Sequence, residues 1–557
     1  MEIQKMRRFI VVTGGPYSGV GKGIVSSSIG LLLKARGINV TAIKIDGYLN
    51  RDAGTMSPFE HGEVYVTADG GETDLDIGNY ERFIGLELTR AHSMTMGKIY
   101  ERVASRERAG EYLGKTVQTI PHVTDEISTW IREVADMEVK IDGQVCQPDV
   151  CIVEIGGTVG DIETLPVFHA IKRMCADSDT PERFCFVHVS ALTYVGSSDG
   201  DREPKTKPTQ QNIEKLWQQG IRPDILVMRC EKTLPNSTHQ KLHTQCFIPL
   251  EGVISCYDVK NIHYVPDVLK SQNVLALLET KLSLHLSRTW NLNSYYRLLE
   301  YFDTPDLPSV KLAIVGKYTG MNDTYLSLIR AIQYGGFANN VNVEITWIDA
   351  ESLTNPDKTK TMLANFHGIL VPGGFGKRGI TGMEHAVEYC YENKIPYLGI
   401  CLGMQVMITG IMNSVSGLNK YYCSTEWEEP KYAEHYPVID LLPEQDQKQL
   451  GGTMRLGNYE TILKEGTLAH KVYGSTHITE RHRHRYEVDK KYVDELSEIM
   501  TFSGYHKETG LCEITELPDH PFMIGCQFHP EYRSRYWEPH PLFVAFIKAT
   551  FIYKGDE

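Results

Sequence analysis

Two runs of alternating strand and helix patterns, one at each end of the chain, set the strongest limit on its fold. In the first run an apolar, β-branched stretch at 8–13 meets a glycine-rich turn, and a helical pattern at 23–35 precedes a second strand at 39–45. Strand, turn, helix and strand in this order predict a βαβ unit of a parallel sheet. Further buried strands of this domain are predicted at 150–155, 184–189 and 225–228.

The second run begins after a stretch in which prolines interrupt any regular element. Pro305 and Pro308 stand near the end of residues 288–308, and a new βαβ pattern starts directly afterwards. Its predicted elements are a strand at 310–316, a helix at 323–334 and strands at 342–348, 368–371 and 396–399. Because 557 residues exceed one ordinary core, we predict an α/β protein with two domains. The predicted bounds are 1–287 and 309–557 for the domains and 288–308 for the linker.

The composition indicates which kinds of binding partner and which cell compartment to expect for this chain. The formal net charge is −14, so the chain as a whole repels nucleic-acid phosphates and anionic membranes. Its twelve cysteines form no CxxC pair, which is typical of free thiols in a reducing compartment. The apolar run from Phe9 to Val12 is too short for a signal peptide, and no stretch reaches the ~18–20 apolar residues of a membrane helix. We therefore expect a cytoplasmic protein without nucleic-acid or membrane partners.

A cysteine between two glycines, in the motif GICLGMQ at 399–405, directly follows the predicted strand residues 396–398. Glycines two residues before and after Cys401 suit a tight strand-to-helix turn, which exposes the side chain and points backbone N–H groups at a developing oxyanion. The N-terminus of the following helix also favours the thiolate. A single cysteine is more often a small buried hydrophobe, so the interpretation as a nucleophile requires partner residues.

A cysteine nucleophile needs a base and a group that orients the base, and both are found far downstream. In QFHPE at 527–531 the imidazole of His529 can face Cys401 while Glu531 lies behind it, and Gly373 and Gly374 can supply oxyanion N–H groups. VPGGFG at 371–376, GICLGMQ and QFHPE together resemble the triad-type glutamine amidotransferase domain. The resemblance implies hydrolysis of glutamine through a thioester at Cys401. It also implies that glutamine is held by Gly374, Gln405, Glu426 and Arg485, although Arg485 is alternatively one more charge of the surface run at 479–485.

The turn GGPYSGVGKG at 14–23 connects the first predicted strand and helix. This is the context of a phosphate-binding loop, in which backbone N–H groups and Lys22 cradle phosphate. The spacing departs from the strict Walker form, because Gly23 stands where a Ser or Thr would bind Mg²⁺ and the loop is one residue longer. Ligands for the metal must come from elsewhere. We predict Asp76 and Glu154, whose hard oxygens suit Mg²⁺, although either residue alone is more often a solvated charge.

Four N-terminal segments resemble the synthetase domain of the CTP synthase family. They are TGGPYSGVGKG at 13–23, the segment at 44–83 that contains GTMSPFEHGEV, EIGGTVGDIE at 154–163 and KTKPTQ at 205–210. With the amidotransferase motifs, GGTMRLG at 451–457 and RHRHRYEV at 481–488, the resemblance covers almost the whole chain. The segment 428–449 contains too few motifs to align.

The resemblance implies a P-loop-like parallel-sheet synthetase domain and a C-terminal α/β glutamine amidotransferase domain that together convert UTP into CTP. ATP phosphorylates O4 of UTP, and ammonia from glutamine displaces the phosphate. Lys22 and Lys44 are the cations expected at the transferred phosphoryl group. The implied ATP-binding residues are Ser18, Gly19, Val20, Gly21, Lys22, Gly23, Asp76, Arg229, Asp258 and Val259. Those for UTP and CTP are Ser18, Asp161, Ile162, Glu163, Lys205, Thr206, Lys207, Gln210 and Lys241.

Regulation and assembly are implied in the same way. The family is activated by GTP, inhibited by CTP and forms homotetramers, with filaments in several members. GTP is expected near Phe375, Gly376, Lys377 and Arg378. An ammonia tunnel is expected with Pro58, His61 and Val64 at its synthetase end. Without the resemblance, His61 is a packed core histidine, KTKPTQ an exposed basic loop, and Asp161 to Glu163 a helix cap.

Two other functions stay open at this stage. Another P-loop glutamine-dependent amidoligase would keep the first turn and the amidotransferase motifs but would lack KTKPTQ and GTMSPFEHGEV. A filament-forming, non-catalytic homologue would keep the fold but lose the nucleophile or the loop lysine, whereas this chain has both Cys401 and Lys22.

Overall fold

The computed structural model describes residues 6–177, 182–196, 202–320, 322–416, 420–427, 434–441 and 454–555. The chain forms two compact units: the first comprises residues 1–53 and 76–293, and the second comprises residues 54–75 and 294–557. Most of the unaligned segment 428–449, and the first three residues of GGTMRLG, lie outside the described residues. The predicted boundaries assign residues 54–75 to the N-terminal domain, whereas the contacts group them with the second unit.

The first unit is built on a seven-stranded parallel sheet. Its strands are β1 (Arg7–Gly15), β2 (Val40–Asp46), β3 (Ser93–Thr95), β4 (Val150–Ile155), β5 (Glu182–Ala191), β6 (Ile225–Cys230) and β7 (Val253–Tyr257). The order across the sheet is β7-β6-β5-β1-β4-β2-β3, so the connections run in opposite directions on the two sides of β1. Ligands of such sheets bind beyond the carboxyl ends of the strands where the order reverses, which here is the end of β1.

Alternate residues of β1 point to opposite faces of this sheet. Phe9 and Val11 join a buried apolar cluster with the helices Met96–Arg108, Thr124–Asp136 and Leu165–Ala176. The other helices of this unit are Lys22–Ala35, Leu75–Ile84 (which starts in the second unit), Lys207–Gln218, Asn236–Cys246, Val265–Ser271 and Val274–Leu282. In one small antiparallel sheet Val139–Ile141 is the central strand, paired with Leu86–Glu87 on one side and Gln144–Cys146 on the other. A second one pairs Thr193–Val195 with Glu203–Lys205.

The second unit contains a nine-stranded mixed sheet. Its strands are β8 (Ser309–Gly316), β9 (Asn342–Asp349), β10 (Gly368–Val371), β11 (Tyr397–Ile400), β12 (Arg455–Leu463), β13 (His477–His484), β14 (Thr501–His506), β15 (Cys512–Glu516) and β16 (Met523–Cys526). The order is β9-β8-β10-β11-β16-β15-β14-β12-β13, with parallel pairs up to β16 and antiparallel pairs from there on. Buried clusters lie on both faces, because Ala313 and Val315 of β8 join one cluster and Leu312 and Ile314 the other.

The helices of the second unit are Asn293–Asp303, Leu326–Asn339, Pro356–Leu363, Ile380–Asn393, Leu402–Ser416, Leu468–Tyr473, Val493–Leu496 and Pro541–Gly555. Residues 54–75 add the short helix Pro58–His61 and the paired strands Tyr65–Val66 and Glu72–Thr73. Tyr421–Ser424, His435–Leu441 and Tyr486–Val488 form a further small sheet.

The predicted α/β class and both βαβ runs are confirmed. The bounds predicted for the helix at 323–334 are wrong, because residues 322–325 form a 3₁₀ turn and the α-helix runs from Leu326 to Asn339. Within the described ranges, no helix has both the length and the apolar character required to cross a bilayer.

Candidate functional site

Cys401 lies at a sharp turn between β11 and the helix Leu402–Ser416. Its φ of 53° is in the left-handed region, which residues with a side chain rarely adopt. The flanking glycines give the backbone room: a Cβ on Gly399 would lie 2.5 Å from the Gly403 carbonyl oxygen, and one on Gly403 would overlap the Val371 carbonyl oxygen. The glycine spacing of the motif is therefore explained by close contacts between backbone segments.

His529 and Glu531 stand beside Cys401, just after β16. The Nδ1 atom of His529 donates to Glu531 Oε1 at 2.8 Å, while the buried Nε2 has no hydrogen-bond partner among the described residues. A Cβ on Gly373 would lie 2.7 Å from His529 Cε1 and 3.6 Å from Cys401 Cβ, so the ring and the thiol share this corner. Burial alone would lower the pKa of His529, but the Glu531 carboxylate and the adjacent Cys401 raise it to about 10. A pKa raised in this direction favours the protonated imidazole, which can then serve as a proton donor beside Cys401.

A cavity of about 390 Å³ opens at Cys401 within the second unit. Gly374, Glu426 and Arg485, three of the four residues predicted to hold glutamine, line it. Glu426 Oε1 accepts from the backbone N–H of Gly376 at 2.7 Å. Burial raises the pKa of Glu426 against the opposing effects of this hydrogen bond and of nearby cations that include Arg485. A carboxylate and a guanidinium in a cavity of this size match the two charged groups of a free amino acid.

The fourth predicted residue, Gln405, is buried in the helix that follows Cys401 and is not part of the cavity lining. Its Nε2 donates to the Tyr486 carbonyl oxygen at 3.0 Å and to Gln527 Oε1 at 3.2 Å. Gln405 therefore lies behind the nucleophile, and its predicted contact with glutamine stays a prediction.

Residues 54–75 form one side of the cavity, and sequence reasoning did not anticipate this. Pro58 and Val64 line the cavity, as does Arg483, whose Nε donates to the buried carboxylate of Glu72 at 2.9 Å. His61 is exposed, so the packed-core alternative has no support, and its role as a gate stays a prediction. The alternating pattern RHRHR at 481–485 could have indicated Arg483. Every second residue of a strand lies on the same face, so Arg483 is expected on the face of Arg485, which was predicted to hold glutamine.

The residues predicted to lie near GTP follow β10. The Arg483 guanidinium stands 5.3 Å from the centre of the Phe375 ring, and Lys377 is exposed. Arg378 pairs with Glu351 at 3.1 Å. The buried Lys317 ammonium donates to the carbonyl oxygens of Phe375 and Gly376. Burial lowers the pKa of Lys317 to about 8.

In the first unit the glycine-rich turn lies at the carboxyl end of β1. Gly19 and Gly21 have φ values of 71° and 92°, which favour glycine. Lys22 Nζ donates to the Gly157 carbonyl oxygen at 2.7 Å, and Arg229 Nη1 donates to the Gly19 carbonyl oxygen at 3.4 Å. The predicted phosphate loop, its lysine and Arg229, a predicted ATP-binding residue, are thus adjacent.

A buried charge cluster stands beside this turn. The Lys44 ammonium on β2 contacts the Asp76 carboxylate and lies 3.3 Å from Glu154 Oε1. Burial acts to raise the pKa of Asp76, yet the Lys44 charge holds it below its usual value. Burial raises the pKa of Glu154 and, together with the Lys44 charge, lowers that of Lys22. The two cations and two carboxylates predicted at the phosphoryl group therefore occupy one cluster.

The donor set of this cluster fits Mg²⁺. Asp76 and Glu154 present hard carboxylate oxygens, and no group of three or more potential metal-ligating side chains occurs among the described residues. Mg²⁺ characteristically takes one or two carboxylates and completes its shell with water and substrate phosphates. Two protein ligands are therefore sufficient for this ion.

The residues predicted to bind UTP and CTP lie in two places. Thr206 and Gln210 are buried at the start of the helix Lys207–Gln218, where Gln210 Nε2 donates to Thr206 Oγ1 at 3.0 Å. Lys205 ends the strand Glu203–Lys205, and Lys207 begins the helix Lys207–Gln218. Lys241 lies in the helix Asn236–Cys246. Asp161 accepts from the backbone N–H and the hydroxyl of Thr158 at 2.6 and 2.8 Å. Ile162 and Glu163 are exposed, and Asp258 and Val259 directly follow β7.

A single added methyl group tests the contact between the turn and the charge cluster. A Cβ on Gly23 would overlap the Asp76 carboxylate, which also explains why no Ser or Thr stands there. We expect Gly23→Ala to lower the free energy of unfolding by about 1–3 kcal/mol and to displace Asp76. Denaturant unfolding and CTP formation from ammonia measure the two effects. Gly555→Ala, where the added Cβ meets nothing within 4 Å, is the control. Wild-type behaviour of Gly23→Ala in both assays would refute the contact.

Comparison with known proteins identifies both units. Family models described as CTP synthase N-terminus and glutamine amidotransferase class-I match residues 8–284 and 321–549. The CTP synthase of Archaeoglobus fulgidus is 46% identical over 555 residues, which are 99% of each chain. That of Methanothrix thermoacetophila is 48% identical and covers 97% of this chain and 96% of its own. That of Thermus thermophilus is 45% identical over 98% of each chain.

A solved structure, the glutaminase domain of Trypanosoma brucei CTPS with bound acivicin, is 32% identical. It covers 43% of this chain and 93% of its own, with a TM-score of 0.40. Both units match family models, and the curated CTP synthases match this chain over nearly its full length. The chain belongs to the CTP synthase family.

Proposed function

We propose that this chain is a glutamine-hydrolysing CTP synthase, a ligase that forms the C–N bond at C4 of the pyrimidine. UTP, ATP and glutamine are its substrates, and CTP, ADP, phosphate and glutamate are its products. The observation that carries this proposal is nearly full-length likeness to CTP synthases in a chain that retains Cys401 and Lys22. A non-catalytic homologue would have no reason to keep both, and another amidoligase would not match the CTP synthase N-terminus model.

In the glutaminase half-reaction the Cys401 thiolate attacks the side-chain amide carbon of glutamine. The oxyanion is stabilised by backbone N–H groups at Gly373 and Gly374, and the protonated His529 gives its proton to the departing ammonia. A thioester remains, which water hydrolyses to glutamate and the free thiol. Glu426 binds the amino group of glutamine and Arg485 its carboxylate, because these two charges line the cavity at Cys401.

In the synthetase half-reaction the γ-phosphoryl group of ATP passes to O4 of UTP, and ammonia then displaces phosphate from C4. Lys22 and Lys44 stabilise the negative charge that gathers between the two triphosphates. Asp76 and Glu154 would hold Mg²⁺, which neutralises phosphate charge when bound. The turn from Ser18 to Gly23, with Arg229, Asp258 and Val259, binds ATP. The UTP triphosphate is bound by Lys205, Thr206, Lys207, Gln210 and Lys241.

Regulation and cell location are part of the same proposal. GTP activates the enzyme at a site near residues 375–378, CTP inhibits it, and the enzyme assembles as a homotetramer. It works in the cytoplasm, which is supported by twelve free thiols. A spectrophotometric assay of CTP formation from UTP, ATP and glutamine tests the activity, and its repetition with GTP tests the activation. No CTP from either glutamine or ammonia would refute the proposed function.

Product inhibition is expected to depend on Glu163. UTP and CTP have the same triphosphate, so an inhibitor that shares this site must place its ring elsewhere, and the exposed Glu163 carboxylate can accept from a cytosine amino group or a ribose hydroxyl. We expect Glu163→Lys to weaken inhibition by CTP about tenfold more than it raises the KM for UTP. CTP titrations with Glu163→Lys and with the exposed control Glu133→Lys measure this. An unchanged inhibition constant, or equal losses for UTP and CTP, would contradict the role.

A further inference from the structure

A chain of hydrogen bonds between side-chain amides ends on the nucleophilic sulfur. Gln405 Nε2 lies 3.0 Å from the Tyr486 carbonyl oxygen and 3.2 Å from Gln527 Oε1. Gln527 Nε2 in turn lies 3.6 Å from Cys401 Sγ. Gln527 is wholly buried and Gln405 is 3% exposed, so water does not compete for these groups. Gln527 has no role in the half-reaction as described above, and Gln405 has only the predicted role of holding glutamine.

The direction of each amide in this chain is set by its neighbours. The Tyr486 carbonyl oxygen only accepts hydrogen bonds, so the NH₂ end of Gln405 must face it. That NH₂ group also faces Gln527, which must therefore present its oxygen. The NH₂ end of Gln527 is then left for Cys401. The reverse orientation of Gln527 would oppose two donors and place an acceptor against the sulfur.

The backbone holds both ends of the last hydrogen bond. The Gln527 N–H donates to the Glu513 carbonyl oxygen at 2.8 Å, and the Cys401 N–H donates to the Cys526 carbonyl oxygen at 2.7 Å. Cys526 ends β16 and directly precedes Gln527, so neighbouring strands fix the sulfur and the amide relative to each other. Turning the Gln527 amide away from the sulfur would break its side-chain hydrogen bond with Gln405.

A donor at this position favours the charged form of the nucleophile. Two further neighbours act on the charge of Cys401: the adjacent His529 favours the thiolate, whereas the Arg483 carbonyl oxygen, 3.9 Å from Sγ, accepts and favours the neutral thiol. A hydrogen bond to an anion is stronger than one to a neutral group, and burial increases the difference. The Gln527 amide thus stabilises the state of Cys401 that attacks glutamine.

We propose that Gln527 is a catalytic residue of the glutaminase half-reaction, whose amide donates to the Cys401 thiolate, and that Gln405 is the positioning residue that fixes the direction of this amide. The proposal rests on the proposed function, because it assigns a role to Cys401 as the nucleophile. It gives the first residue of QFHPE a task distinct from those of His529 and Glu531.

The test measures the thiolate directly rather than through turnover. The full chain is treated with iodoacetamide over a range of pH, and alkylation of the Cys401 peptide is followed by mass spectrometry. We expect Gln527→Met and Gln527→Glu to raise the pH midpoint of alkylation by about one unit or more. Both should lower kcat/KM for glutamine roughly 10- to 100-fold and leave ammonia-dependent CTP formation unchanged.

Further variants separate this role from a structural one. Gln405→Met should move the alkylation midpoint in the same direction by less, because the donor remains but loses its orientation. Gln218→Glu, an isosteric change at an exposed site in the first unit, should leave the midpoint at the wild-type value. A wild-type midpoint in Gln527→Glu with intact ammonia-dependent activity overturns the proposal, and that isosteric variant decides if Gln527→Met folds poorly. If alkylated wild-type enzyme still used glutamine, the proposed function of Cys401 would fail instead.

Discussion

Cys401→Ala is expected to abolish glutamine-dependent CTP formation and to leave ammonia-dependent formation largely intact. Removing the nucleophile of a triad lowers the rate by roughly 10³-fold or more, because no other group in the cavity can form the thioester. The synthetase residues belong to the other unit and do not include Cys401. Steady-state assays with glutamine and with ammonium chloride as alternative nitrogen sources measure the two activities side by side.

The matched control for this experiment is Cys512→Ala, which removes another buried free thiol from the same unit. It should retain both activities. Equal loss of both activities in a folded Cys401→Ala protein would contradict the division of labour between the two units.

Lys22→Ala is expected to abolish CTP formation from either nitrogen source. Lys22 begins the helix after the phosphate loop and lies in the charge cluster with Lys44, Asp76 and Glu154. Loss of one well-placed cation from a phosphoryl-transfer site costs roughly 10²- to 10³-fold in rate. Glutamine hydrolysis, followed separately by glutamate release, reports on the unaffected half-reaction.

Lys34→Ala is the control for Lys22→Ala, because Lys34 lies on the same helix but pairs with Asp142 at 2.7 Å, away from the carboxyl end of β1. It should keep wild-type turnover with ammonia. Normal ammonia-dependent turnover in Lys22→Ala would instead exclude the phosphate-loop assignment.

The parts of the site that were predictable from sequence are those coded by short motifs. The glycines around Cys401 and the pair His529 and Glu531 need only local backbone geometry, so their spacing indicates their roles. The same is true of the turn at 14–23, where the glycines with positive φ and Lys22 are within a few residues of each other. Regular alternation of strands and helices was sufficient for the fold class.

Contacts between distant segments were not predictable in this way. Arg483 and Glu72 are 411 positions apart, and no local pattern indicates that they meet. The amide chain from Tyr486 through Gln405 to Gln527 is equally non-local, although each residue stands in or next to a motif. Burial of Glu72 and Gln527 is a property of the packed unit, and single-sequence patterns do not report it.

The assignment of residues 54–75 to the second unit limits how the chain can be cut into fragments. The chain leaves the first unit after Ala53, completes the cavity at Cys401, and returns at Asp76. A fragment that begins at residue 294 would lack Pro58 and Val64 and would leave the Arg483 guanidinium without Glu72. A single cut therefore cannot yield a fragment that contains the second unit with both Glu72 and Arg483 and without the first unit.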